Sequence, residues 1–363
     1  MIRVLQVFGG LNMGGSETMV MNYFRHIDRT QVVFDFVSHL PNKGFYEDEI
    51  LSLGGKIFHL ERYNGINTIN YIKQWKELFK EHPEYSIVHV HNFKVAVFVN
   101  YAAKISGVKT RIVHSHSASS GNKNIRNLGF QFLKPLVSLN STHLFACGSD
   151  AGKYLFGKKS FTVMPNAIDV DVFRFNTDVR HKVRNELNLS EDDFAMINVG
   201  RLTIQKNQKF LLDVFIRLVS EHPNFKLFIV GKGERKDELN DYVVSNNLQN
   251  NVFLLGARND INLLLQGCDA FLFPSLWEGL PVTLVEAQAA GLQILVSSNI
   301  TKEVKITDLA QYIALDIDVW CENILKMTNS KKNREEYNLI VQNSSYNIFE
   351  QVKILQSFYL NNC

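Results

Sequence analysis

Two glutamates, Glu278 and Glu286, lie seven residues apart in the segment Pro274-Ser275-Leu276-Trp277-Glu278-Gly279-Leu280-Pro281-Val282-Thr283-Leu284-Val285-Glu286-Ala287. The preceding run Asp269-Ala270-Phe271-Leu272-Phe273 predicts a buried parallel strand that ends at Pro274. Pro281 suits the first turn of a helix, where a missing N–H costs nothing, and Gly291 suits its C′ end. Glu278 then falls in the strand-to-helix loop and Glu286 one to two turns inside the helix. The free N–H groups at such a helix start, with its positive dipole end, form an anion site. Two carboxylates bracketing it can hold the hydroxyls of a sugar nucleotide while the backbone holds its phosphates. Glutamates at this spacing can also be plain surface charge; the strand, proline and glycine around them favour a ligand site.

A departing nucleoside diphosphate carries negative charge that a metal or fixed cations must neutralise. Arg201 and Lys206, on the loop after the apolar run Phe194–Val199, offer a guanidinium fork and a point charge. Two acidic triplets, Asp169-Val170-Asp171 and Asp316-Ile317-Asp318, have a metal-binding pattern, but the first follows a turn rather than a buried strand and the second stands late with no other motif around it, and no metal role is expected. His114 and His116 share one face at the end of the strand Arg111–His116, where ligand sites of parallel α/β sheets lie. His89 and His91 repeat the pattern, yet no carboxylate or cysteine completes a metal set. Gly14 and Gly15 precede a helical pattern and let the backbone approach a phosphate or acceptor. Their spacing is not G-x-G-x-x-G, which argues against a nicotinamide site.

The elements that must position these groups alternate between apolar runs and amphipathic stretches, which implies parallel sheets with covered faces. Val4–Phe8 followed by a Gly-rich turn and a helix, and Phe194–Val199 followed by Gly200-Arg201 and a helix from Gln208, read as two Rossmann-like openings. With 363 residues the chain suffices for two domains, 1–165 and 166–345, divided at the turn-forming Pro165-Asn166. Residues 1–165 hold 19 Lys/Arg against 11 Asp/Glu, and residues 166–363 hold 20 against 25. A basic first half suits anionic acceptors or lipid headgroups. Clustered cations with interleaved aromatics are missing, so nucleic acid ranks low as a partner. Four scattered cysteines, no signal-like start and no long apolar stretch predict a cytoplasmic protein, free or peripheral on the inner face of the membrane. The stretch Lys123–Lys134 mixes basic and apolar residues and is the expected membrane contact.

The block Glu278-Gly279-Leu280-Pro281…Glu286-Ala287…Gly291 resembles the E-x7-E signature of retaining glycosyltransferases of family 4, which have the GT-B fold. Gly14-Gly15-Ser16-Glu17, Pro165-Asn166-Ala167-Ile168-Asp169 and Gly200-Arg201…Lys206-Asn207 extend the resemblance over nearly the whole chain. It implies an α/β GT-B protein: two Rossmann-like domains with parallel sheets facing across a cleft, and a last helix, about 346–363, packed back on the first domain. It implies that Arg201 and Lys206 contact the donor diphosphate, Glu286 the ribose, and Glu278 with the Gly279 and Leu280 backbone the hexose. The Gly231 loop and Arg258 backbone would hold the base, and Gly15 the donor. His116, with His114 at the preceding same-face position, would lie beside the reacting sugar, and Gly14, His91 and Asn92 on the acceptor side. The expected function is metal-independent, cofactor-free transfer of a hexose or N-acetylhexosamine from a nucleotide-sugar donor, UDP-linked, to a saccharide or lipid-linked saccharide of a surface or capsular polysaccharide. The rival readings are a GT-B sugar-nucleotide epimerase and a basic nucleic-acid-binding protein.

Overall fold

The computed structural model describes residues 1–116, 134–329 and 333–363. Most of the stretch expected to touch a membrane, 123–133, lies outside them. Two compact units result: Met1–Ile168 with Ile348–Cys363, and Asp169–Asn347. The division falls after Ile168 rather than at Pro165-Asn166. Ala167 and Ile348 belong to the first unit's apolar core, and the Ile348 N–H donates to the Ile168 carbonyl.

The first unit holds strands β1 (Ile2–Val7), β2 (Val32–Ser38), β3 (Ile57–His59), β4 (Ile87–Val90), β5 (Thr110–Ser115), β6 (His143–Ala146) and β7 (Thr162–Val163). They form one parallel sheet in the order β3-β2-β1-β4-β5-β6-β7. The apolar runs are strands because both faces are covered; β2 and β4 are buried along their whole length. β2 contains Asp35, an acid in a fully buried strand, which hid the element in the sequence. Its carboxylate is met by the Arg3 fork and accepts from the Tyr85 hydroxyl at 2.7 Å and the Lys56 N–H at 2.6 Å, so the charge is buried with partners. The C-terminal helix Ile348–Asn361 lays Val352, Leu355 and Tyr359 into the same core as the helix Gly15–His26.

The second unit repeats the scheme with β8 (Phe194–Val199), β9 (Phe225–Val230), β10 (Val252–Gly256), β11 (Ala270–Phe273), β12 (Gln293–Ser297) and β13 (Ala310–Ile313), all parallel, in the order β10-β9-β8-β11-β12-β13. Its core gathers the apolar face of the helix Gln208–Leu218 around Phe215, with Trp320 from the helix Ile317–Thr328. In both units the strand order reverses direction beside the first strand, between β1 and β4 and between β8 and β11. Beyond such a pair of strands the connections lead to helices on opposite faces of the sheet, and the C-terminal ends of the pair are where ligands of open α/β sheets bind.

Candidate functional site

At the crevice of the second unit, β8 and β11 are register neighbours through Met196–Ala270 and Ile197–Phe271. The loops that follow them are therefore side by side, and they are bonded together. The Leu276 N–H donates to the Gln205 carbonyl at 2.9 Å, the Gln205 side chain to the Trp277 carbonyl at 2.8 Å, and Asn207 to the Pro274 carbonyl at 3.2 Å. This brings Lys206 Nζ to 2.7 Å from Glu278 Oε1, with both side chains largely buried. The contact is electrostatic rather than directional, because Glu278 Oε1 gains no aligned hydrogen bond from it. Arg201 is exposed at the start of the same loop. Two residues separated by about seventy positions, chosen on sequence grounds for different parts of a donor, are thus neighbours.

The loop Glu278–Pro281 leads into the helix Val282–Ala289, with Pro281 at the N-cap, one position earlier than the first-turn site its ring suggested. Glu286 sits in the second turn, and its carboxylate makes no ion pair or hydrogen bond among the described residues. Burial alone pushes its carboxyl up to about 7. A partly shielded carboxylate with no internal partner suits a ligand hydroxyl. Gly291 ends the helix with φ +69, and a Cβ there would meet the Arg334 backbone at 2.6 Å.

Gly231, after β9, has φ +149, and a Cβ on it would stand 2.0 Å from the Gly200 carbonyl oxygen. Only glycine allows these two loops to touch. Arg258, after β10, has its side chain held by Asp260 at 2.6 Å and Glu186 at 2.8 Å, which leaves its backbone as the part available to a ligand. The acidic triplets have other work. Asp169 accepts from the Asp171 N–H, and Asp171 pairs with Arg174. Asp316 caps the helix Ile317–Thr328, while Asp318 pairs with Arg217.

In the first unit a pocket of about 200 Å³ lies at the β1/β4 crevice, lined by Gly9, Ser16, Glu17, His91, Asn92 and Lys94 among others. Gly14 is the N-cap of the helix Gly15–His26, and a Cβ on it would run into Glu17. Gly15 faces open space. A larger groove, of about 800 Å³ along the helix Thr68–Glu81, is lined by none of the residues singled out from sequence.

His89, His91, His114 and His116 form one stacked cluster, with ring centroids 4.3 Å apart for the first pair and 4.1 Å for the last. Ring nitrogens of His89, His91 and His114 lie within 4.8 Å of one another, close enough in principle for a cation. Those nitrogens are engaged instead: His89 with Tyr359 and His114, and His91 with Gln6 and His116. A cation there would have to displace these hydrogen bonds. Burial holds all four rings neutral, pushing His116 down to about 3 and the other three well below the usual imidazole range. Sequence reading found the histidines but missed Gln6 and Tyr359. No spacing links Tyr359 to His89; only the return of the last helix does.

Each unit thus gathers charged and polar side chains at the C-terminal ends of its parallel strands, where an open α/β sheet takes its ligands. Residues 13–172 match the model of Glycosyltransferase Family 4, and residues 179–315 that of Glycosyl transferases group 1. A protein of Bacillus subtilis (strain 168) named as glycosyltransferase EpsF is 34% identical over 347 residues, covering 92% of this chain and 90% of the relative. The UDP-Gal:alpha-D-GlcNAc-diphosphoundecaprenol alpha-1,3-galactosyltransferase of Escherichia coli is 28% identical over 311 residues, 80% of this chain and 78% of its own. Among solved structures, Anabaena Alr3699/HepE in complex with UDP-glucose matches with TM-score 0.81 at 16% identity, covering 100% of both chains. The chain belongs to the glycosyltransferases of family 4 and group 1, and its fold is GT-B.

Proposed function

We propose that this glycosyltransferase transfers a hexose or N-acetylhexosamine, with retention at the anomeric carbon, from a UDP-sugar to a lipid-linked saccharide in the synthesis of a surface or capsular polysaccharide. The observation that carries this reading is the convergence of Arg201, Lys206 and Glu278 on one crevice, with the unpartnered Glu286 on the helix that follows. Arg201 and Lys206 neutralise the diphosphate as it leaves, so no metal is required. Binding of the diphosphate draws Lys206 from Glu278 and frees that carboxylate for the hexose hydroxyls. Glu286 accepts from the ribose, and the backbone at Gly279 and Leu280 donates toward the sugar. The Gly231 loop and the Arg258 backbone hold the base.

The acceptor oxygen attacks the anomeric carbon from the side on which the phosphate departs. As the C–O bond to phosphate breaks, the hydroxyl proton passes to a leaving phosphate oxygen, and configuration is kept without a protein nucleophile. His116 and His114 orient a hydroxyl of the reacting sugar; Gly14, His91 and Asn92 serve the acceptor, the last two from the first unit's pocket, and Gly15 the donor. UDP is favoured as the nucleotide because HepE was crystallised with UDP-glucose, and a lipid-linked acceptor by the name of the Escherichia coli relative. Among the described residues no helix is long and apolar enough to cross a membrane. We therefore assign access to the lipid to the basic first half, on the cytoplasmic face. The relatives described above favour neither the epimerase nor the nucleic-acid reading.

The protein incubated with individual UDP-sugars should release UDP slowly by hydrolysis and faster with a lipid-linked saccharide, the product keeping the donor's anomeric configuration by NMR. An inverted product would refute retention. Tight UDP binding with no turnover of any UDP-sugar, with and without acceptor, would refute the transferase assignment.

A further inference from the structure

The buried histidines are not a loose cluster: their hydrogen bonds form two branches that start from one side chain, Gln6. In the first branch Gln6 Nε2–H donates to the Tyr359 hydroxyl at 3.3 Å. With that oxygen accepting from Gln6, its proton is directed at its other partner, His89 Nδ1, at 2.7 Å. His89 Nδ1 is then an acceptor, and a neutral imidazole must carry its proton on Nε2. His89 Nε2–H therefore donates to His114 Nδ1 at 3.2 Å, which leaves His114 with its proton on Nε2. In the second branch Gln6 Oε1 can only accept, so His91 Nε2–H donates to it at 2.8 Å. His91 Nδ1 accepts from His116 Nε2–H at 2.8 Å, and His116 keeps a lone pair on Nδ1. Both chain ends, His114 Nε2 and His116 Nδ1, are buried without a partner among the described residues.

We propose that Gln6, acting through Tyr359 and His89 on one side and through His91 on the other, fixes the tautomers of His114 and His116 so that together they offer one N–H donor and one lone-pair acceptor to a sugar hydroxyl. A hydroxyl both donates and accepts, so it matches a pair of opposite ends where two donors or two acceptors would not. The neutral state forced by burial keeps the arrangement intact across the working pH range. Gln6, His89, His91 and Tyr359 are positioning residues, each acting through another ring. Phe8 stacks on His91 at 4.5 Å and holds that ring's plane. Reversing the Gln6 amide would reverse every bond and place the proton on Nδ1 of all four rings, so one amide commits both branches. The inference rests on the reading of His114 and His116 as sugar contacts.

The test is long-range proton–nitrogen correlation NMR of the full-length, 15N-histidine-labelled protein at neutral pH, with the four rings assigned by single His→Asn variants. All four should be neutral with the proton on Nε2. Nδ1 protonation of His116 or His91, or a charged ring in the cluster, would overturn the proposal. Tyr359→Phe removes the donor to His89 and should leave His89 and His114 as tautomer mixtures while His91 and His116 stay fixed. Its kcat should fall about tenfold with the KM for donor little changed, a split that general loss of packing would not produce. If Tyr359→Phe does not fold, Gln6→Glu serves. Its carboxylate still accepts from His91 but also takes the Tyr359 proton, so it should move the proton to Nδ1 in His89 and His114 only. A shift in both branches, or in neither, refutes the scheme. Tautomers as described together with full activity of His116→Ala would refute the sugar-contact reading and leave the tautomer order standing.

Discussion

Glu286→Gln should stabilise this protein and disable it. The Glu286 carboxyl is raised from 4.5 to about 7 by burial, with no cation paired to it among the described residues. For an acid raised in this way, the folded state still holds a proton at a pH where the unfolded chain has lost it. Stability therefore falls as pH climbs from about 4.5 to about 7; the cost is fully present above that window and absent below it. A shift of this size corresponds to ~3 kcal/mol at most, and partial contact with water brings the expected cost to ~1–3 kcal/mol. Glutamine keeps the shape and cannot ionise, so the variant should gain that amount at pH 8 and nothing at pH 4.5. In a domain of this size the gain is a rise of roughly 2–4 °C in Tm per kcal/mol. Denaturant unfolding of both proteins across this pH range measures it, with UDP affinity followed alongside. Binding should weaken by roughly tenfold or more, since an acceptor of two ribose protons becomes an amide. A variant less stable than the parent at pH 8, or a gain that does not depend on pH, would refute the account of an unpaired, desolvated carboxylate.

Other substitutions probe the remaining parts of the site. Arg201→Ala and Lys206→Ala should each lower kcat/KM by roughly a hundredfold, while EDTA leaves most activity in place; loss with EDTA and recovery with Mn²⁺ or Mg²⁺ would show that the diphosphate is neutralised by a metal instead. Glu278→Ala should impair sugar transfer with nucleotide affinity little changed, as read by UDP titration against turnover, and a variant with normal turnover would remove this residue from the site. Gly231→Ala places a methyl within 2.0 Å of the Gly200 carbonyl at φ +149, so it should destabilise the second unit by roughly 2 kcal/mol or more and weaken UDP binding, checked by thermal unfolding with and without UDP. Flotation with anionic liposomes should carry the protein upward at low salt and fail for Lys123/Arg126/Lys134→Glu; a protein that stays soluble at low ionic strength gets its acceptor another way.

Local sequence determined the parts of this protein that local physics governs. The runs Phe194–Val199 and Phe225–Val230 are strands over those same residues, and Gln208–Leu218 is a helix, because a strand covered on both faces must be apolar throughout and a half-covered helix must be apolar on one side. Gly231 and Gly291 are written into the sequence by close approaches that no other residue tolerates. Where a long-range partner changes what a residue may be, the pattern fails. Asp35 sits in the middle of a buried strand because Arg3 and Tyr85 come to it from elsewhere. Tertiary structure alone decided that Lys206 meets Glu278, since the order of strands, not their composition, sets β8 beside β11. It also decided which nitrogen of each buried histidine carries a proton. Gln6 and Tyr359 stand 353 positions apart, and a hydrogen bond between them exists only once the last helix has folded back over the first strand.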